Sequence, residues 1–360
     1  VSKDLNDKLR DGTLPKDPKD GTVPANEAAR RKAEAAPMNV RSVRHLLDGA
    51  AERACNPKRL EDACTTGHYQ IDQHTGGMRP GFVWVFGADT SFGKSTLATA
   101  ISDANIQRNK RPLIVSVEDP EELYGDRLLA RRSRVNFTRL TRGQCNPKER
   151  EAIWHVQARA EDQPVYCFAG TKPIEQIAKE LNVIIRSEGI DIVFYDYLQE
   201  FQSNKRHQDE RTKFKHISSV MRDVIRSNNK TGMILSQLTI TTETKVPNKH
   251  NIRESRDVSN AAEVVAIGFC PDANVARQGG SDSDEPLFEK GHKYLLLDKN
   301  KAGPAKRFVR LGWNENSACF DDVEDPEQRR LEEEGRRLNE GIDDGFEWDN
   351  LEPRQHWQDN

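Results

Sequence analysis

The stretch VWVFGADTSFGKST, Val83 to Thr96, decides how the chain is read. An apolar run gives way to a short polar loop, which ends in Gly93-Lys94-Ser95 and leads into a helix-forming segment. Strand, glycine-bearing loop and helix in that order make a cradle of backbone N–H groups for phosphate oxygens. The consensus G-x-x-x-x-G-K-[ST] sets its first glycine five positions ahead of the second. Here that place is Ala88, and the glycine stands one position earlier, at Gly87. Alanine is compatible with the start of the loop if its φ is negative, whereas Gly93 must lie closest to phosphate. The nucleotide-binding residues expected are Ala88, Asp89, Thr90, Ser91, Phe92, Gly93, Lys94, Ser95 and Thr96. Lys94 would reach the β- and γ-phosphates of ATP or another NTP or dNTP, and the Ser95 hydroxyl would bind Mg²⁺. The competing reading is a chance G-K-S loop in an ordinary α/β domain.

Outward from the loop, apolar runs alternate with helical stretches. FVWVFG, PLIVSVED, VYCFA, DIVFYDYLQ, TGMILSQL, EVVAIGF, KYLLLDK and KRFVRLGW are strand candidates. Between them lie a helix from Ser95, the helical EELYGDRLLARRSR, and IEQIAKELNVIIRSEG. In the last of these, Ile174, Ile177, Leu181, Ile184 and Ile185 recur on one face. Continuous apolar runs alternating with helices imply an α/β fold with a mostly parallel sheet flanked by helices. The last two strand candidates lack a helix between them and are expected to pair antiparallel at the sheet edge. One domain from about Thr65 to Phe320 accommodates the pattern.

Acids fall where such a sheet needs them. Asp196 ends the apolar run of DIVFYD, placed to hold Mg²⁺ directly or through water, with helix capping as the alternative. Glu118 ends VSVE and is the candidate base for an attacking water. Asp119 is its rival, and its expected place is the cap of the next helix. Gln237, after MILS, could sense the γ-phosphate or serve only as a strand-end hydrogen bonder.

Composition bounds the rest. The chain has 360 residues, 31% of them charged, and a formal net charge of −3. Residues 321–360 hold fifteen acids and five arginines, a charge of −10, which leaves +7 for residues 1–320. A basic body with an acidic tail fits nucleic-acid contact and fits equally a solvated charged surface. The six cysteines show no C-x-x-C spacing, which argues against a zinc site or a disulfide framework and fits a reducing cytoplasm. No apolar run approaches the roughly 20 residues of a membrane span, and there is no secretory signal. Residues 1–37, rich in Pro, Gly, Lys and Asp, read as a flexible linker. In residues 38–64, Val43, Leu46, Leu47, Ala50, Ala51 and Ala54 form the stripe of a short amphipathic helix. Residues 321–360 read as a disordered or partly helical tail.

The ordered set TGHYQIDQHTGGMRPG, GKST, VSVEDP, DYLQ, LSQL and IRES resembles the motor domain of DnaB-type replicative helicases, a group that includes bacteriophage primase–helicases. The resemblance covers about Thr66 to Trp313. It implies a RecA-like P-loop NTPase, a hexameric ring around single-stranded DNA, and unwinding of forked duplex in the 5′ to 3′ direction. By position it implies Lys94 and Ser95 for phosphate and magnesium, Glu118 as catalytic glutamate, Asp196 at the metal, and Gln237 linking nucleotide state to DNA loops. Arg253 and Glu254 fall on a DNA-facing loop, and Arg256 stands where the family usually has glycine. Lys245 and Lys249 are further candidate DNA contacts in the polar segment before it.

Another departure concerns K-x-R-x-G, where the family's arginine reaches a neighbour's γ-phosphate. This chain has Lys299 and Lys301 followed by Gly303. Lysine supplies the charge without the bidentate fork. SKDLNDKLRDG at the start resembles the close of a phage primase domain, which implies the helicase half of a longer protein; the chain begins with Val1. The helix of residues 38–64 resembles the family's linker helix, which packs on the adjacent subunit. The acidic tail with Phe346, Trp348 and Trp357 resembles tails that hold a polymerase, primase or single-strand-binding protein. Two rivals share the loop: a RecA-like recombinase or repair ATPase, and a clock-type signalling ATPase without unwinding.

Overall fold

A computed structural model describes residues 42–55, 62–239, 246–252, 256–271, 288 and 292–322. It falls into two compact units, Val1–Glu61 and Asp62–Asn360. In the first, helix α1 spans Val43–Cys55, with Val43, Leu46 and Leu47 exposed along it. No helix among the described residues is long and apolar enough to cross a membrane.

The second unit is built on one sheet. Helix α2 (Tyr69–Thr75) precedes β1 (Val83–Ala88), a tight turn at Thr90–Phe92 and helix α3 (Lys94–Ile106). Then come β2 (Pro112–Ser116), α4 (Glu121–Ser133), α5 (Phe137–Thr141), α6 (Pro147–Gln157), β3 (Tyr166–Phe168), α7 (Ile174–Ser187) and β4 (Ile192–Asp196). Helix α8 (Glu210–Ser227), β5 (Thr231–Gln237), α9 (Arg256–Ala261), β6 (Val264–Phe269), β7 (Lys293–Asn300), β8 (Arg307–Asn314) and β9 (Cys319–Asp321) complete it. The strands order as β3-β2-β4-β5-β1-β6-β7-β8-β9. Pairing is parallel from β3 to β6 and antiparallel from β6 onward.

The inner strands are apolar throughout because both faces are covered, and the period of two divides their side chains between two cores. Val83, Val85, Val193, Tyr195, Ile234 and Ile267 face a cluster with Ile177, Leu181 and Ile185 of α7 and Phe214, Ile217 and Met221 of α8. Trp84, Phe86, Phe194, Met233 and Leu235 face the other, with Leu97 and Ile101 of α3 and Tyr124 of α4. Burying one such aliphatic side chain contributes about 1.5–3 kcal/mol, so the stripe of α7 alone holds that helix firmly.

Most sequence expectations match this sheet. The last two strand candidates do pair antiparallel, but not at the edge: β9 adds beyond β8, and β6 already pairs antiparallel with β7. The sequence reading also named no helix at α8, whose buried Phe214, Ile217, Met221, Val224 and Ile225 keep helical spacing.

Candidate functional site

Parallel pairing fixes which residues meet at the strand tips. Ala88 lies opposite Gln237, and Ser116 opposite Asp196. The loop after β1, the end of β2, the end of β4 and the end of β5 therefore share the carboxyl edge of the sheet, where open α/β sheets bind ligands.

The misplaced glycine has a structural reason. A Cβ on Gly87 would lie 2.7 Å from Leu238 Cδ2, 3.1 Å from Ile267 Cδ1 and 3.2 Å from Ile252 Cγ1. Gly87 thus serves packing inside β1 rather than the turn of the loop. Ala88 ends the strand in extended backbone and needs no glycine. Gly93 does: its φ is +96° and ψ 50°, and it is the N-cap of α3. Asp89 caps the turn before it by accepting from the Thr90 N–H at 2.8 Å.

Lys94 is buried, with Nζ 3.3 Å from the Asp89 carbonyl and 3.5 Å from that of Ala88, above the Tyr197 ring at 5.5 Å. Burial lowers the basicity of its ammonium, against the opposing pull of Asp196, Asp89 and Glu118. Asp196 is 5% exposed, and its Oδ1 is buried with no hydrogen-bond partner. Burial pushes its carboxyl up to about 6, reinforced by Asp119 and opposed by a hydrogen bond with Ser95 and by Arg127 and Lys94. An orphaned carboxylate oxygen beside a serine hydroxyl at a helix start is a donor set that suits a hard divalent cation.

Glu118 is exposed, and burial, Asp119 and Glu200 raise its carboxyl above the usual range while Lys94 and Arg127 lower it. Its rival behaves differently from expectation. Asp119 does not cap α4, whose N-cap is Pro120 with no side-chain cap; its carboxylate instead pairs with Arg127 at 2.7 Å. That ion pair ties α4 to the tip of β2 and occupies the carboxylate.

Gln237 ends β5, and its N–H donates to Gln199 Oε1 at 3.1 Å, while Gln199 Nε2 donates to Ser236 Oγ at 2.9 Å. Gln199 therefore bridges the tips of β4 and β5. Beyond Gln237 the chain closes a neck: Leu238 bridges Ile252, and the Thr239 N–H donates to the Asn251 carbonyl at 2.7 Å. This neck packs on Gly87, one residue before the loop. Lys249 sits in the turn at its base, where its N–H donates to the buried Asp298 carboxylate at 2.5 Å. Lys245, Arg253 and Glu254 lie outside the described residues, as do residues 1–37 and the tail with Phe346, Trp348 and Trp357; Arg256 opens α9.

Lys299 and Lys301 are not with the others. Lys299 pairs in register with Val265, one residue past the partner of Trp84 on β1. Lys299 Nζ donates to the carbonyls of Ser259 at 3.1 Å and Asn260 at 2.7 Å. Lys301 pairs with Glu263 at 3.2 Å, and Arg226 joins the same carboxylate at 2.8 Å. These lysines stand near the start of β1, and about four strand residues, ~13 Å at 3.3 Å each, separate that level from the loop.

Sequence reasoning missed Tyr197, Gln199 and Arg127. The first two lie inside DYLQ, so the motif held the signal, but only the fold shows what they touch.

The DnaB-like helicase C-terminal domain family matches residues 63–322. The replicative DNA helicase DnaB of Leifsonia xyli is 25% identical over 246 residues, covering 67% of this chain and 52% of the relative. That of Haemophilus influenzae is 24% identical over 308 residues, covering 82% and 63%. The chain thus spans between half and two thirds of the length of these relatives. Among solved structures, an ATPase domain has a TM-score of 0.69 at 17% identity, with 79% of this chain and all of that one covered. A DnaB-like replicative helicase, studied with its interactions with primase, has a TM-score of 0.68 at 18% identity, covering 84% and 73%. The family match covers well over half of the chain, which therefore belongs to the DnaB-like helicase C-terminal domain family.

Proposed function

We propose that this chain is the motor of a replicative DNA helicase, coupling NTP hydrolysis to 5′ to 3′ movement on single-stranded DNA and to unwinding at a fork. The observation that carries the reading is the meeting of Lys94, Ser95, Asp196, Glu118 and Gln237 along one sheet edge, with Lys299 and Lys301 at the other. Lysines so far from their own loop suit a ring in which each subunit completes its neighbour's site. We assign residues 65–320 to the motor and residues 38–64 to packing between subunits of a hexamer.

Lys94 has no carboxylate bonded to Nζ, only two loop carbonyls that a phosphate group would replace. Ser95 and Asp196 would hold Mg²⁺, which when bound neutralises charge on the phosphate oxygens. Glu118, free where Asp119 is paired, orients the attacking water. Lys301, with Lys299 beside it, would leave Glu263 to reach the neighbour's γ-phosphate. Gln237 sits between nucleotide and the neck of the 238–252 segment, so a shift there reaches the DNA contacts Lys245, Lys249, Arg253, Glu254 and Arg256. The likeness of SKDLNDKLRDG to the end of a primase domain supports a phage primase–helicase acting in the host cytoplasm. The acidic tail supports contact with a polymerase, primase or single-strand-binding protein.

Strand separation on forked duplex, with Mg²⁺ and each NTP in turn, tests this. Substrates carrying only a 5′ or only a 3′ tail run beside it. Unwinding that needs the 5′ loading strand and a fork is expected. Hydrolysis indifferent to DNA, with no unwinding, would point to a signalling ATPase instead.

A further inference from the structure

Lys293 opens β7 and is 8% exposed, at a place where the strand buries Tyr294, Leu295, Leu296 and Leu297 after it. Its Nζ lies 3.5 Å from the ring centroid of Trp313, 4.9 Å from Phe320 and 5.2 Å from Phe92. The rings also hold one another, Phe92 on Phe320 at 5.5 Å and Trp313 against Phe320 at 4.9 Å. Nζ donates to the Phe92 carbonyl at 2.5 Å. Burial lowers the basicity of this ammonium. A methionine would fill the same space without desolvating a charge, so the amine needs a reason to be there.

The Phe92 carbonyl supplies one. It shares a planar trans peptide with the Gly93 N–H, so the two point in opposite directions. Holding the oxygen back in the aromatic box turns the Gly93 N–H outward, on the side where a phosphate-binding loop presents its amides. Gly93 is also the residue with φ +96°, and the Phe320 ring lies 3.5 Å from where its Cβ would be. We infer that Lys293 is a positioning residue of the nucleotide site, fixing the Phe92–Gly93 peptide so that its N–H is aimed at phosphate before nucleotide arrives. This inference rests on the reading of the loop as a nucleotide site.

The test compares wild type with Lys293→Met and Lys293→Gln in the full chain, using N-methylanthraniloyl-ATP fluorescence for affinity and steady-state hydrolysis for KM and kcat. Lys293→Met keeps the volume and removes the donor, and is expected to weaken nucleotide binding about tenfold, the loss of one charge-assisted hydrogen bond. Its kcat should stay within about twofold, so that the loss falls on KM and affinity. Lys293→Gln keeps a donor without the charge and is expected to lose about two- to threefold in affinity. Should Lys293→Met not fold, Lys293→Gln carries the test alone. Nucleotide affinity equal to wild type in either variant overturns the inference. A wild type that binds no nucleotide, or a Lys94→Ala variant that binds as wild type does, would instead sink the reading of the site itself.

Discussion

The two ends of β1 are opposites. At the carboxyl end, Asp196 keeps a buried oxygen without a partner, Lys94 leans on carbonyls, and Glu118 has its carboxyl raised. At the amino end, Glu263 accepts from the Val83 N–H at 3.0 Å and pairs with Arg226 and Lys301. Burial works against its ionisation, but the bond from Val83 and those cations win, and its carboxyl falls below the usual range. One end is left incomplete and the other satisfies itself. Buried polar groups without partners cost stability, so the incomplete end makes sense as a place where a ligand supplies what is missing. Lys301 can reach elsewhere only by giving up its ion pair with Glu263.

The largest expected effect breaks the incomplete end. Lys94→Ala should lower kcat for hydrolysis by at least about 10³-fold, since it removes the charge placed for the β- and γ-phosphates; steady-state hydrolysis with each NTP reads it. Glu118→Gln should fall by a comparable factor, while Asp119→Asn, which loses only the pair with Arg127, should stay within about tenfold.

Next comes the satisfied end. Lys301→Ala should cost about 10–10³-fold in DNA-stimulated kcat, below the 10³–10⁵ of an arginine finger because lysine lacks the fork. Lys301→Arg should equal or exceed wild type. A Lys301→Ala variant with unchanged kcat would remove the lysine from the mechanism.

Stability should move in opposite directions at the two ends. The Asp196 carboxyl is raised from 3.8 to about 6 in the fold, so the native state binds the extra proton between those values and stability falls as pH rises through them. Above pH 6 the full cost, up to about 3 kcal/mol, is present, and Asp196→Asn should recover much of it in urea unfolding with EDTA at pH 7. Glu263 is lowered, so its contribution is present above the unfolded carboxylate range and is lost as pH falls through the folded value. Glu263→Gln should therefore destabilise at pH 7 and less so in acid. Two variants shifting the same way would contradict the contrast.

The smallest expected effect is on basal turnover. Arg253→Ala should leave basal hydrolysis within about twofold and lose the stimulation by single-stranded DNA, with a shallower salt dependence of DNA binding.

Much of this was legible from residues. The inner strands announce themselves because burial on both faces demands continuous apolar runs, and the site acids sit at the ends of those runs. Helix α6 was harder, since none of its residues is buried and no apolar stripe marks it. Its signal was local, Asn146 and Glu149 forming a capping box around Pro147. Strand β9 has three residues, too few for a pattern, and exists because β8 offers it a ladder. The sequence points Asp119 to the cap of the next helix, and its pairing with Arg127 was not legible because the two meet only once α4 folds back. Lys293 was invisible for the same reason: its box joins Phe92, Trp313 and Phe320 from three separate segments.

We propose that each nucleotide site is finished by the opposite end of a neighbouring subunit, and mixing two impaired variants tests this most directly. Lys94→Ala subunits keep the lysine that reaches out, and Lys301→Ala subunits keep an intact loop. Co-assembled in equal amounts and assayed for DNA-stimulated hydrolysis, they should regain about a quarter of wild-type turnover, the share of interfaces that join a good loop to a good lysine. Co-assembly shown by light scattering, with turnover no higher than the mean of the separate variants, would contradict a shared site.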